Sequence, residues 1–327
     1  MNNLYLHDNS LITRRLRWRR RHYRRTEWQS NSKKKNIMSD LVNYEDLGVN
    51  EAFDLIRKWR DNNERKFSEW NLIWEEIFRN LDRRPNEKYL VAEQLLVAML
   101  DIHCYDLALM WLEILTEQFP GSLRVMRYKA LCLEAQGQYD KALYILDEII
   151  KVDETNAPAR KRRVAVMKAQ GLITEAIKEL VDYLKKFMAD TEAWQELSKL
   201  YLEVGEYSRA AFCTEELLLD QPHNHLLHQH LADIRYTMGG VENIELAKSY
   251  YCQALKLNPN NMRALLGLIL ATNNLLGHYK SSGSAKRKEI WKLSQWAQSE
   301  VTKKQRALRS SDDSGLTNMM LAISITD

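Results

Sequence analysis

The stretch TEAWQELSKLYLEVGEYSRAAFCTEELLLDQPHN, residues 191–224, decides the fold. Trp194, Leu197 and Tyr201 follow one another at three- and four-residue spacing, which places them on one face of a helix. Gly205 interrupts that helix, Ala210 sits in a second helical segment, and Pro222 ends it. The stretch therefore reads as a hairpin of two helices, with too little length to bury both apolar faces alone.

The same marks return along the chain. Gly137, Gly171, Gly205 and Gly239 are each 34 residues apart, and so are Ala108, Ala142, Ala176 and Ala210. Ala247 follows after 37 residues; Pro120 and Pro222 stand three periods apart, and Pro259 follows after another 37. An interval of 34 is the tetratricopeptide period. Each recurrent residue has a mechanical task. The glycine takes the left-handed backbone that ends the first helix. The alanine lies where the two helices cross, and a larger side chain would push them apart. The proline stops the second helix. Glu154 and Met188 stand where proline is expected in the second and third repeats.

This register predicts an all-α tetratricopeptide-repeat superhelical solenoid with helical caps at both ends. The repeats fall at 89–122, 123–156, 157–190, 191–224 and 225–261, five in 89–261, the last enlarged around Gly239 and Gly240. Capping helices are expected over 39–88. Trp70, Ile73, Trp74, Ile77 and Phe78 mark one, and Phe53, Ile56 and Trp59 a shorter one before it with Asn50 as N-cap. Over 262–309, Met262–Leu276 reads as a further first helix, Gly277–Lys288 as a loop, and Glu289–Leu308 as a last amphipathic helix with Trp291 and Trp296. Residues 310–327 read as a flexible tail.

Composition agrees. Of 327 residues, 45% are apolar and only 11 are Gly and 5 Pro, which excludes an all-β fold and disorder throughout. The longest apolar runs, Leu95–Leu100 and Leu265–Ala271, fall well short of the roughly 20 residues that cross a bilayer. The net charge of +4 is uneven. Residues 1–38 hold 11 of the 48 basic and two of the 44 acidic side chains, leaving 37 and 42, a net of −5, for the rest. Such a basic leader is expected to be disordered. It lacks the apolar core of a secretory signal. It resembles a mitochondrial transit peptide only in being Arg-rich and acid-poor. The preferred reading is an upstream start, because Met38 opens MSDLVNYEDLG like an ordinary beginning.

Chemistry is sparse. Cys104, Cys132, Cys213 and Cys252 are 28, 81 and 39 residues apart, no spacing for a metal finger or redox motif, and read as reduced buried thiols. His223, His225, His228 and His230 straddle a turn at spacings of 2, 3 and 2, so only His225 and His228 share a face; no metal is expected. No phosphate-binding glycine loop, nucleophile elbow or zincin motif occurs. No catalytic residue and no cofactor is expected. Arg160, Lys161, Arg162 and Arg163 spread over more than one helical face, and the neighbouring Glu192 and Glu196 argue against nucleic acid.

Repeats of this type line a groove with positions 2, 5, 9 and 12 of each first helix. Arg127, Lys161, Lys168, Gln195, Lys199, Tyr236 and Arg263 are the candidate partner-binding residues, with Gln229 and Asp233 among their neighbours. A mixed groove suits a protein segment. The alternative, a chaperone-binding tetratricopeptide co-chaperone, needs a carboxylate clamp. Starting at the second repeat, Leu131, Glu192 and Glu196 occupy clamp positions, and starting at the third, Ala165, Glu196 and Leu226 do. Neither register supplies it.

Several stretches carry a closer likeness. They are RKWRDNNER (57–65), QFPGSLRV (118–125), ARKRRVAVMKAQG (159–171), EAWQELSKLY (192–201), AAFCTEELLLDQPHNHL (210–226), YTMGGVENIELAKSYYCQALKLN (236–258) and NMRALLGL (261–268). They resemble the family of subunit 2 of the endoplasmic reticulum membrane protein complex, over about residues 40–300. The likeness departs at the Arg-rich leader and beyond about Lys304. It implies a non-catalytic scaffold, peripheral on the cytosolic face of the endoplasmic reticulum membrane. Such a subunit holds cytosolic parts of membrane-embedded subunits, including subunits 3 and 5, and docks a soluble subunit of the 8/9 type. The complex it implies inserts tail-anchored and multipass proteins.

Overall fold

A computed structural model describes residues 48–308 except 63, 65, 67, 68, 71, 72, 74–76, 78, 79 and 280–284. The leader expected over 1–38 and the tail over 310–327 lie outside the described residues. Among the described residues there are thirteen continuous α-helices, one short 3-10 helix and no strand, besides scattered helical residues between 69 and 80. The chain divides into two compact units, Met1–Ile102 and His103–Asp327. The division falls between the two helices of the first expected repeat.

In the first unit, α1 spans Val49–Asp61 and buries Ala52, Phe53, Ile56 and Trp59. Its N-cap is Gly48, not Asn50. The Glu51 carboxylate at the third helical position reaches back to accept the Gly48 N–H at 3.0 Å, while Asn50 accepts a hydrogen bond from Arg84. The expected helix around Trp70 is seen in part. Trp70, Ile73 and Ile77 are helical and buried, and Trp70 meets Trp59 edge-on at 5.7 Å; Trp74 and Phe78 lie outside the described residues. A 3-10 turn at Leu81–Arg83 precedes α2, Pro85–Asp101, which starts on a proline whose missing N–H costs nothing at a first turn.

The second unit opens with α3, Tyr105–Gln118, and continues as helical hairpins. These are α4 Leu123–Ala135 with α5 Tyr139–Val152, α6 Ala157–Ala169 with α7 Ile173–Lys186, and α8 Thr191–Glu203 with α9 Tyr207–Asp220. Next come α10 His225–Met238 with α11 Val241–Leu257, then α12 Met262–His278 with α13 Ala285–Leu308. The last helix starts earlier than expected because Lys286, Arg287 and Lys288 are straight-chain residues that favour helix as readily as loop.

The recurrent residues do what their types allow. Gly137, Gly171 and Gly205 have φ of 75°, 79° and 77°. At Gly171, its N–H donates to the Lys168 carbonyl and that of Leu172 to Met167, both at 2.9 Å, which satisfies the carbonyls at the end of α6. Ala108, Ala142, Ala176, Ala210 and Ala247 are all 0% exposed, as helix crossings without room for more than a methyl require. Apolar faces of successive hairpins merge into continuous cores: one around Leu146, Ile149 and Val166, one around Leu180, Leu197 and Leu231, and one around Tyr251, Leu268 and Val301. Neighbour packing of this kind supplies most of the stability of a repeat array.

Candidate partner-binding site

The first helices of the hairpins, α4, α6, α8, α10 and α12, carry the candidate residues. The starts of α6, α8, α10 and α12 are fixed by a series the period alone did not single out. Asn156, Asp190 and Asn224 are the last residues of successive repeats, and Asn261 ends the enlarged one. Each places its side-chain oxygen on an early N–H of the next helix: Asn156 on Ala159, Asp190 on Ala193 and Asn261 on Ala264, all at 3.1 Å, and Asn224 on Leu226 at 3.0 Å. The signal was available as Asn or Asp at a 34-residue interval.

Three of the charges expected to face a partner, Lys161, Lys168 and Arg263, are instead paired across successive helices, as is Arg162 of the basic run. Lys161 Nζ lies 2.6 Å from Asp190 and 3.2 Å from Glu192. Lys168 pairs with Glu196, Arg162 Nε lies 2.6 Å from Glu134, and Arg263 contacts Asp233 at 3.1 Å. These residues tie α4 to α6, α6 to α8, and α10 to α12. Asp190 is the best-held acid. Burial works against its charge, yet hydrogen bonds from Lys161, from the Tyr183 hydroxyl at 2.7 Å and from the Ala193 N–H keep it below the ordinary carboxylate range. Burial first, and then Asp190, pushes the Tyr183 phenol up to about 12. At Glu134 burial prevails over Arg162 and the carboxyl is raised.

The basic run is likewise consumed within the fold. Arg160 and Glu179 are buried against each other at 3.5 Å, Arg160 also donates to the Glu154 carbonyl at 2.9 Å, and Arg163 bridges Glu179 and Asp147. All four of Arg160–Arg163 are thus in ion pairs.

Three candidates stand apart. Gln195 and Lys199 are exposed on α8 and enter no hydrogen bond or ion pair among the described residues. Arg127, half-buried on α4, has its guanidinium 5.8 Å from the Tyr128 ring and no ion pair among the described residues. Tyr236 lies further along, in a cleft of about 350 Å³ with Gly239, Val241, Ile244, Leu275 and His278. Gln229, expected in the groove, is buried and accepts from Asn261, the N-cap of α12, at 3.0 Å, as Lys161 meets the N-cap Asp190 of α8.

The histidines disperse. His225 has the Asn258 and Asn261 amides 3.1 Å from its two ring nitrogens, and His228 donates to the Pro222 carbonyl at 2.9 Å. Burial, with Arg263 and Lys199 nearby, holds His230 below the ordinary histidine value, and His223 is exposed. Among the described residues no group of three or more His, Cys, Asp or Glu is arranged to hold a metal ion. Burial raises the Cys132 and Cys213 thiols to about 11 and about 12.

Residues 100–253 match the family model described as the EMC2 TPR-like repeat domain. The chain is 41% identical over 267 residues to the ER membrane protein complex subunit 2 of Xenopus tropicalis, covering 81% of this chain and 90% of that protein. It is 33% identical over 272 residues to the protein of the same name from Dictyostelium discoideum, covering 78% and 83%. Among solved structures, it is similar to the C-terminal part of a TPR repeat-containing protein from Cytophaga hutchinsonii, with a TM-score of 0.52, 18% identity, and 76% and 94% of the two chains covered. That likeness shows the all-helical tetratricopeptide-like fold. Among the described residues no helix is long and apolar enough to cross a membrane.

Proposed function

Since the chain belongs to the family of ER membrane protein complex subunit 2, we propose that it is a non-catalytic scaffold on the cytosolic face of the endoplasmic reticulum membrane. In this reading it supports insertion of tail-anchored and multipass proteins by holding cytosolic segments of other subunits, those of the subunit 3, 5 and 8/9 types. The observation that carries it is the contrast along the first helices. Lys161, Lys168 and Arg263 are held by neighbouring acids, while Arg127, Gln195 and Lys199 offer polar groups with no ion pair among the described residues. A wall that is already rigid and carries a few unspent donors can grip an extended segment at low ordering cost.

The arrangement also decides which variants are informative. Reversing Lys161 or Lys168 would set carboxylates against Asp190, Glu192 and Glu196 and disturb the stack itself. Arg127→Glu with Lys199→Glu breaks no ion pair among the described residues. Affinity capture from detergent-solubilised membranes should recover about tenfold less of the membrane-embedded subunits with this double variant, at unchanged helicity. Recovery equal to that of the unaltered chain would exclude this part of the wall.

A further inference from the structure

The last helix presents a surface that the stack does not use. Ile290, Ser294, Ala297 and Val301, spaced by four, three and four residues, are buried against α12, and Ser294 donates to Asn273 at 3.1 Å. One edge of α13 is therefore fixed and the opposite edge is turned outward. Along it run Lys288 and Lys292, both exposed and without an ion pair among the described residues, with the exposed Glu289 at its margin. Lys303 extends the row, steadied by Glu300 at 2.6 Å. Trp291 and Trp296 are each 46% exposed. Five residues apart, they stand about 140° apart around the helix and flank the cations on either side.

We propose that this outer strip of α13 rests directly on an anionic lipid surface, at the level of the headgroups. Long cationic side chains reach phosphates while their stems stay on the protein, and indole rings favour the boundary between water and hydrocarbon. A helix bound in a protein groove would offer apolar anchors in one stripe, at spacings of three and four. The two tryptophans cannot share such a stripe. They can both meet a plane on which the helix lies, with the cations between them. The contact is superficial, because the centre of the strip is charged. It is independent of the wall formed by α4, α6 and α8 and goes beyond association through other subunits.

The arginine-rich leader would bind anionic vesicles by itself, so the test is made in the full chain with Arg14, Arg15, Arg17, Arg19, Arg20, Arg21, Arg24 and Arg25 replaced by Gln. This chain should sediment with vesicles of phosphatidylcholine and phosphatidylserine and not with phosphatidylcholine alone. Lys288→Gln with Lys292→Gln should lower the partition coefficient by about twenty-five-fold, roughly fivefold per lysine. Trp291→Ala with Trp296→Ala should lower it by about tenfold at unchanged helicity. The proposal is overturned if the leader-substituted chain fails to bind, or if either pair of substitutions leaves binding unchanged. Loss of co-purifying subunits with vesicle binding intact would assign the strip to a protein instead. Failure of the Arg127 and Lys199 test leaves these outcomes unaffected.

Discussion

The ring of Tyr251 lies against the bare backbone of Gly267, so close that a Cβ built there would stand 2.4 Å from the ring. The ring cannot retreat. It is 2% exposed and its hydroxyl donates to Asp233 at 2.6 Å. Burial, and then Asp233, raises that phenol, so it remains a donor at any ordinary pH. Three consecutive helices, α10, α11 and α12, meet at this point.

Gly267→Ala is expected to destabilise by about 1–3 kcal/mol, although alanine is the better helix former. Each kcal/mol corresponds to roughly 2–4 °C in Tm for a unit of this size. Thermal unfolding of the single variant and of Gly267→Ala with Tyr251→Leu should show partial recovery in the pair. Additive losses would mean that the ring is not the obstacle.

His103 stands one period before Gly137 and has φ of 59°, the left-handed backbone of the glycines that follow it. An L side chain there costs about 1 kcal/mol. His103→Gly should therefore stabilise by roughly 0.5–1 kcal/mol, and Gly171→Ala, at φ of 79°, should destabilise by about 1–2 kcal/mol. Urea unfolding would separate the two; a loss on His103→Gly would show that its contact with the Tyr105 hydroxyl, at 3.0 Å, outweighs the strain.

Glu179 neutralises both Arg160 and Arg163 from a side chain that is 8% exposed. Removing it leaves a buried guanidinium uncompensated. Glu179→Ala should cost about 3–5 kcal/mol, visible as a fall in the urea midpoint. A loss below about 1 kcal/mol, the range of an exposed pair, would place Arg160 in water.

Asp190 gives the fold a dependence on acid. Its folded value is lowered, so the stability it adds is complete above the ordinary aspartate value of 3.8 and is lost as pH falls through the lower folded value. Asp190→Asn keeps the helix cap and removes the charge. The unaltered chain should exceed it by ~0.5–1 kcal/mol at neutral pH, a modest sum because Lys161 is partly exposed. The gap should close below pH 3.8. A gap that persists in acid would credit something other than ionisation.

Much of the candidate site was visible as a period and little of it as geometry. The spacing placed Lys161, Lys168, Gln195 and Lys199 on first helices, and α6 and α8 carry them. It gave no sign that Lys161 and Lys168 are held by acids some thirty residues away. The asparagines and aspartate that cap α6, α8, α10 and α12 are harder to read, because their residue types vary while their task does not. The count places Gln229 on a first helix but gives no sign that the N-cap Asn261 of the next helix covers it.

Hairpin boundaries, the glycine turns and the alanine crossings were settled by the amino-acid order alone, because each depends on backbone freedom or side-chain size at a single position. Which charges remain unpaired, which edge of α13 faces outward and where Tyr251 finds room were decided only by packing. Those outcomes depend on the rotamers of residues brought together from separate helices, and a rotamer is chosen by its neighbours in space.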